Sequence, residues 1–239
     1  MTVVVPLVDV TLRGMLGRRR TVLLVLLAGL PVLVALLIRV SGGRPDADRV
    51  LDTLVVRFVM ALVALIVGTA VIGSEIEDGT AVYLMVKPIA RWRIALAKAI
   101  VAMGLTAALV VPAVVLTGFI LGGRSDSMTI TVAFAVACLV GGSAYAVAFM
   151  ALSVFTSRAF LLGLAYVLIW EGVLSGLLAG TKFLSIRQAT LGLASALGAD
   201  IPGDPLASNV SLIVLVVVLV GGFLIASWRL AGFEIRGGD

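Results

Sequence analysis

Residues 21–40 read TVLLVLLAGLPVLVALLIRV, with no ionisable side chain before Arg39. About 20 such residues span a roughly 30 Å hydrocarbon core. Backbone polar groups find no water there, so the run has to be helical, and Pro31 is tolerated as a kink. The reading extends outward to five further runs, at about 54–74, 95–121 (with Pro112 inside), 129–155, 160–180 and 208–228. Composition agrees: the chain is 62% hydrophobic and 13% charged, against about 45–50% and about 25% for soluble domains. The expectation is an all-α polytopic membrane protein, one transmembrane domain over 1–239 with six spans.

Several chemistries drop out. The chain has no histidine, which removes His-based nucleophilic catalysis, HExxH zinc sites and His-ligated haem. Cys138 is the single cysteine, so neither disulfides nor cysteine metal sites are expected. No GxxxxGK[ST] pattern is present, and the scattered serines Ser143, Ser153 and Ser175 have no histidine to activate them. No catalytic set and no metal site is therefore expected in this chain. The net charge of +5 is read as topology and not as nucleic-acid binding, because Lys and Arg accumulate on the cytoplasmic side of membrane proteins.

Six spans put both termini on one side. Arg13, Arg18, Arg19, Arg20, Lys87, Arg91, Arg93, Lys98, Arg158, Arg229 and Arg236 fall on that face, eleven in all. Arg39, Arg44, Arg49, Arg57, Arg124, Lys182 and Arg187, seven in all, fall on the other. Both termini are thus expected in the cytoplasm, with the chain in the plasma or inner membrane.

Two non-spanning segments carry information. Residues 3–17 place Val4, Val5, Val8, Leu12, Met15 and Leu16 at helical spacing, with Asp9 and Arg13 opposite. This predicts an amphipathic helix on the membrane surface, a plain basic tail being the alternative. Residues 181–207 are too apolar for a solvated loop and too interrupted for a span. A short outer helix or re-entrant hairpin fits them, ended by IPGDP.

Glu171 is the acid expected inside a span, roughly 20 Å above Arg158 at 1.5 Å per residue. A carboxylate at that depth is costly unless paired, wetted or protonated. It is either a group on a translocation path or a structural acid bonded to a neighbouring span. Gly172, Gly176 and Gly180 follow on one face, a ridge suited to close helix packing.

The remaining charge is concentrated in residues 73–93, GSEIEDGTAVYLMVKPIARWR. Ser74 and Glu77 form an S-x-x-E capping box, so a short helix is expected to start there, with Glu75, Glu77 and Asp78 at its positive end. Gly79 permits a turn, Pro88 breaks the apolar stub, and Arg91, Trp92 and Arg93 are expected to anchor the third span at headgroup level.

Glu75, Glu77, Gly79, Thr80, Leu84, Pro88, Arg91 and Lys98 together resemble the loop between spans two and three in permease subunits of type 2 ATP-binding-cassette exporters. The resemblance implies that this loop is a coupling helix docking on a separate ATPase subunit. Glu75, Glu77, Asp78, Gly79 and Thr80 become coupling contacts, and Arg91, Trp92 and Arg93 interface anchors. It further implies a permease dimer (identical or related chains) with two ATPase subunits, ATP and magnesium residing on the ATPase. The chain itself would bind no cofactor and catalyse nothing. The cargo is expected to be lipophilic or amphipathic. The alternative is the same architecture used without transport, as a sensor, immunity protein or mechanotransmission subunit.

Overall fold

The first apolar run does form a helix, and its burial pattern shows why it sits at the edge of the bundle. Leu24, Ala28, Pro31 and Ala35, spaced four, three and four residues apart, are buried, while Leu23, Leu26, Leu33 and Leu37 face outward. A single narrow seam of small and medium residues touches protein, and the rest of the surface is fit for lipid.

The computed structural model describes residues 18–43, 47–77, 91–122, 126–174, 179–202 and 205–231. Helix α1 is Arg18–Val40. A short α2, Ala47–Val50, passes into a π-helical stretch, Leu51–Met60, and then into α3, Ala61–Glu77. Next come α4, Arg91–Leu121, and α5, Asp126–Phe155. Helix α6, Ala159–Ala165, again continues as a π-helix, Tyr166–Leu174. A 3₁₀ turn, Ala179–Leu184, leads to α7, Ile186–Ala196, and the last helix is α8, Ser208–Ala231. No strand occurs among the described residues.

Five helices among the described residues are long and apolar enough to cross a membrane: Arg20–Val40, Ala47–Gly73, Arg91–Leu121, Met128–Phe155 and Ser208–Leu230. The run expected over 160–180 is a shorter apolar helix, Ala159–Val173. The second span starts at Ala47 and not near 54, because helix continues through Arg49, Asp52 and Arg57. The amphipathic helix expected over 3–17 and the coupling segment at 78–90 lie outside the described residues.

Helix α5 is the hub, packing against α3, α4, α7 and α8. Glycine sets how closely its neighbours approach. A Cβ on Gly68 would stand 2.6 Å from the Ala146 carbonyl oxygen and 3.2 Å from the Met150 amide nitrogen, so α3 and α5 meet backbone to backbone. Gly141, near the middle of α5, has its open side filled by the Thr190 side chain of α7. Close approach through small residues is how helices gain contact where lipid supplies no hydrophobic drive.

One expectation at the end of the second span is overturned. Helix α3 runs unbroken through Ser74 to Glu77, so the S-x-x-E pattern does not begin a helix. Extending a formed helix by a residue is easier than nucleating a new one. Glu75 and Glu77 therefore occupy the last turn of α3, the negative end of its dipole, where an acid gains nothing.

Candidate functional site

Helix α7 begins inside the protein, and its first turn carries backbone N–H groups that a helix cannot satisfy internally. Ser185 supplies the cap: its Oγ accepts from the Gln188 amide at 3.0 Å. Ser185 and Gln188 make an S-x-x-Q box, a local signal the sequence reading passed over. The remaining donors go to Glu171. Its Oε1 accepts from the Ile186 amide at 2.9 Å and from Arg187 N at 3.5 Å, and its Oε2 accepts from Ser185 Oγ at 2.5 Å. Tyr166 Oη donates to Oε1 at 2.9 Å. Glu171 is 2% exposed, so this shell takes the place of the water a carboxylate would otherwise need.

Aromatic rings wall the same spot. Tyr145 of α5 stacks on Phe149 at 5.7 Å, and Phe149 meets Tyr166 edge-on at 6.4 Å. The Tyr145 hydroxyl is buried beside Glu171, close enough to feel its charge.

Charge then extends across the bundle. Arg187, 4% exposed, lies within the electrostatic reach of Asp52, Arg57 and Glu171. Asp52 and Arg57 come from the π-helical stretch Leu51–Met60, and Glu171 and Tyr166 from Tyr166–Leu174. Thus both π-helical segments contribute to one cluster, in keeping with the frequent association of such irregular turns with function. Two acids and two bases sum to zero, the condition under which ions are tolerated away from water. Asp52 Oδ1, Arg57 Nε and Arg187 Nε are buried without a hydrogen-bond partner among the described residues. Attraction within the cluster, and not a full set of hydrogen bonds, is what compensates them.

Glu171 is accordingly not alone among buried acids of the spans; Asp52, partly buried in Ala47–Gly73, joins it. Nothing near Asp52 in the chain announces its partner, since Arg187 is far along the sequence. Gly172 is exposed and a Cβ there would meet only the Val167 carbonyl of its own helix at 3.6 Å. Gly180 faces open space, and Gly176 lies outside the described residues.

At the opposite end, basic residues tie together the helices flanking 78–90. Lys98, 4% exposed, donates from Nζ to the Val71 carbonyl at 2.7 Å, joining α4 to α3. Arg91 donates from an Nη to the Leu230 carbonyl at 2.9 Å, joining α4 to α8. Leu230 is next to the last residue of α8, so Arg91 also meets the negative end of that helix. Trp92 is exposed, with the Arg93 guanidinium 5.5 Å from its ring centroid. Side chains of Glu75 and Glu77, and residues Asp78, Gly79 and Thr80, lie outside what is described. Among the described residues no cluster of His, Cys, Asp and Glu could hold a metal ion.

A family model described as "ABC-2 family transporter protein" matches residues 16–180, from the start of α1 through Tyr166–Leu174. No curated protein sequence matches the chain.

Proposed function

Because the chain belongs to the ABC-2 transporter family, as a multi-pass membrane permease subunit, we propose that it exports lipophilic or amphipathic solutes with a separate ATPase. The observation that carries the coupling part is the pair of bonds Lys98–Val71 and Arg91–Leu230. They join α3 and α4, the helices on either side of 78–90, to each other, and α4 to α8. A push on that connection would then reach α3, α4 and α8 together. Glu75, Glu77 and Asp78, with Gly79 and Thr80, form the contact offered to the ATPase. Acids at a helix's negative end are held there against its dipole, which favours a partner-facing role over a folding role.

The complex contains two copies of the ATPase, which bind ATP and magnesium, and two permease chains. Gly172 and Gly180 are each exposed, which leaves room for the second permease to approach. The chain itself does no catalysis. Its termini face the cytoplasm of a plasma or inner membrane. Arg57, Arg187 and Lys98 lie within the bundle and so do not count as loop charges. Removing them changes the basic-residue balance from eleven against seven to ten against five, a stronger inward bias. The buried charges compensate one another, leaving a pathway with little free charge and hence lipophilic or amphipathic cargo.

The test is the triple variant Glu75→Ala, Glu77→Ala, Asp78→Ala, co-expressed with the ATPase subunit that co-purifies with the wild-type chain. Loss of ATPase co-purification is expected, with the permease still in the membrane. Normal assembly and normal solute flux in vesicles would refute the coupling assignment. ATP turnover by the wild-type complex without flux of any solute would point instead to a non-transporting assembly.

A further inference from the structure

A cavity of about 220 Å³ opens between the start of α1, the second half of α3 and the turn joining α5 to α6. Its lining has two characters. Arg20 and the hydroxyls of Thr69, Ser153, Thr156 and Ser157 make a polar wall; Ile66, Ala70 and Phe160 make an apolar one. Arg20 is the only ionisable side chain among the described lining residues, so the cavity favours an anion.

The hydroxyls are not equivalent. Thr69 Oγ1 donates to the Leu65 carbonyl at 2.6 Å and Ser153 Oγ to the Met150 carbonyl at 2.7 Å, so both protons are committed within their own helices. Thr156 Oγ1 accepts from the Arg158 amide at 3.1 Å, which leaves its proton to donate. Arg20, Thr156 and Ser157 are then the donors available to a bound group. A guanidinium flanked by hydroxyl donors suits the oxygens of a phosphate.

Depth and size narrow the source. The apolar run of α1 starts directly after Arg20, which places the cavity at the boundary between headgroups and hydrocarbon. Its volume is below the roughly 300–1,000 Å³ of pockets that enclose drug-sized solutes, so it is matched to a headgroup and not to a whole cargo molecule. The described lining offers no acid to receive a choline ammonium, and the apolar wall can follow the first carbons of an acyl chain. Basic pockets between transmembrane helices are known takers of anionic headgroups.

We propose that the cavity between Arg20, Thr156 and Ser157 is a phosphate site that seats the headgroup of an anionic membrane phospholipid. A soluble phosphate ester shares the chemistry, and the two sources separate experimentally. The full chain in detergent is titrated with phosphatidylglycerol, with phosphatidylcholine, and with glycerol phosphate, and bound adducts are counted by native mass spectrometry.

Saturable binding of phosphatidylglycerol over phosphatidylcholine is expected, without competition from glycerol phosphate. Arg20→Ala should weaken it by about tenfold or more, the loss of one charge-assisted hydrogen bond, while Arg20→Lys keeps most of it. Gly73→Leu tests volume without touching charge: Gly73 lines the cavity and a Cβ there meets nothing within 4 Å, so the side chain fills the space and should exclude the lipid. Full competition by glycerol phosphate would overturn the lipid assignment. Equal binding of both lipids, or unchanged binding in Arg20→Ala and Gly73→Leu, would overturn the site. No ATPase is needed, so the outcome is independent of the transporter reading.

Discussion

The Glu171 carboxylate accepts a 2.9 Å hydrogen bond from the Ile186 amide, so a side chain of the fifth apolar helix caps the helix that follows it. The same carboxylate also holds Ser185, which caps that helix directly. Replacing Glu171 by Ala strips several buried donors of their acceptor. Each such group costs about 1–3 kcal/mol, so the purified protein should melt at a clearly lower temperature. Glu171→Gln keeps an acceptor for Ile186 and should fall between the two. Identical melting of all three would show that the cap contributes nothing.

Arg187 is the buried cation that Asp52, Arg57 and Glu171 surround in charge. Removing one partner of a buried ion pair costs up to about 3–5 kcal/mol. Arg187→Met should fall below that ceiling, because Arg57 remains to offset the acids. The double variant Arg187→Met, Asp52→Asn restores neutrality and should recover part of the loss. A double-mutant cycle on thermal stability measures this coupling; additive losses would mean that Asp52 and Arg187 do not interact.

Gly68 and Gly104 are both helical glycines, yet substitution should act on them in opposite directions. A Cβ on Gly68 would press on the Ala146 backbone of α5 at 2.6 Å, whereas one on Gly104 meets nothing within 4 Å. Gly68→Ala should destabilise by about 1–3 kcal/mol through overpacking. Gly104→Ala should be neutral or stabilise by up to about 1 kcal/mol through helix propensity. Parallel denaturation of the two variants decides the matter.

Lys98→Met should leave assembly largely intact, because the Val71 carbonyl it releases lies within helix α3 and keeps its place in the helical ladder. What it removes is a charge-assisted tie between α3 and α4, worth about 1.5–3 kcal/mol. The expected signature is a complex that still binds its ATPase but transports several-fold less per ATP hydrolysed. Unaltered coupling would remove Lys98 from the proposed transmission route.

Much of the architecture was legible because hydropathy is a local, additive property. The run at 21–40 becomes α1, and those at 95–121 and 129–155 match Arg91–Leu121 and Asp126–Phe155 within a few residues. Arg49, Asp52 and Arg57 hid the true start of the second span, since charges read as loop until their partners are known. Asp52 is compensated partly by Arg187, on a helix reached only in three dimensions. The two capping boxes make the same point in reverse. Ser74–Glu77 has the pattern but lies inside a helix already propagating, whereas Ser185–Gln188 starts one. From sequence alone, then, came the membrane class, most helix positions and the family-like loop, because each depends on neighbours in the chain. Only the tertiary structure decided that Glu171 is a helix cap within a neutral charge cluster, because hydrogen bonds and ion pairs join groups whose separation along the chain carries no signal.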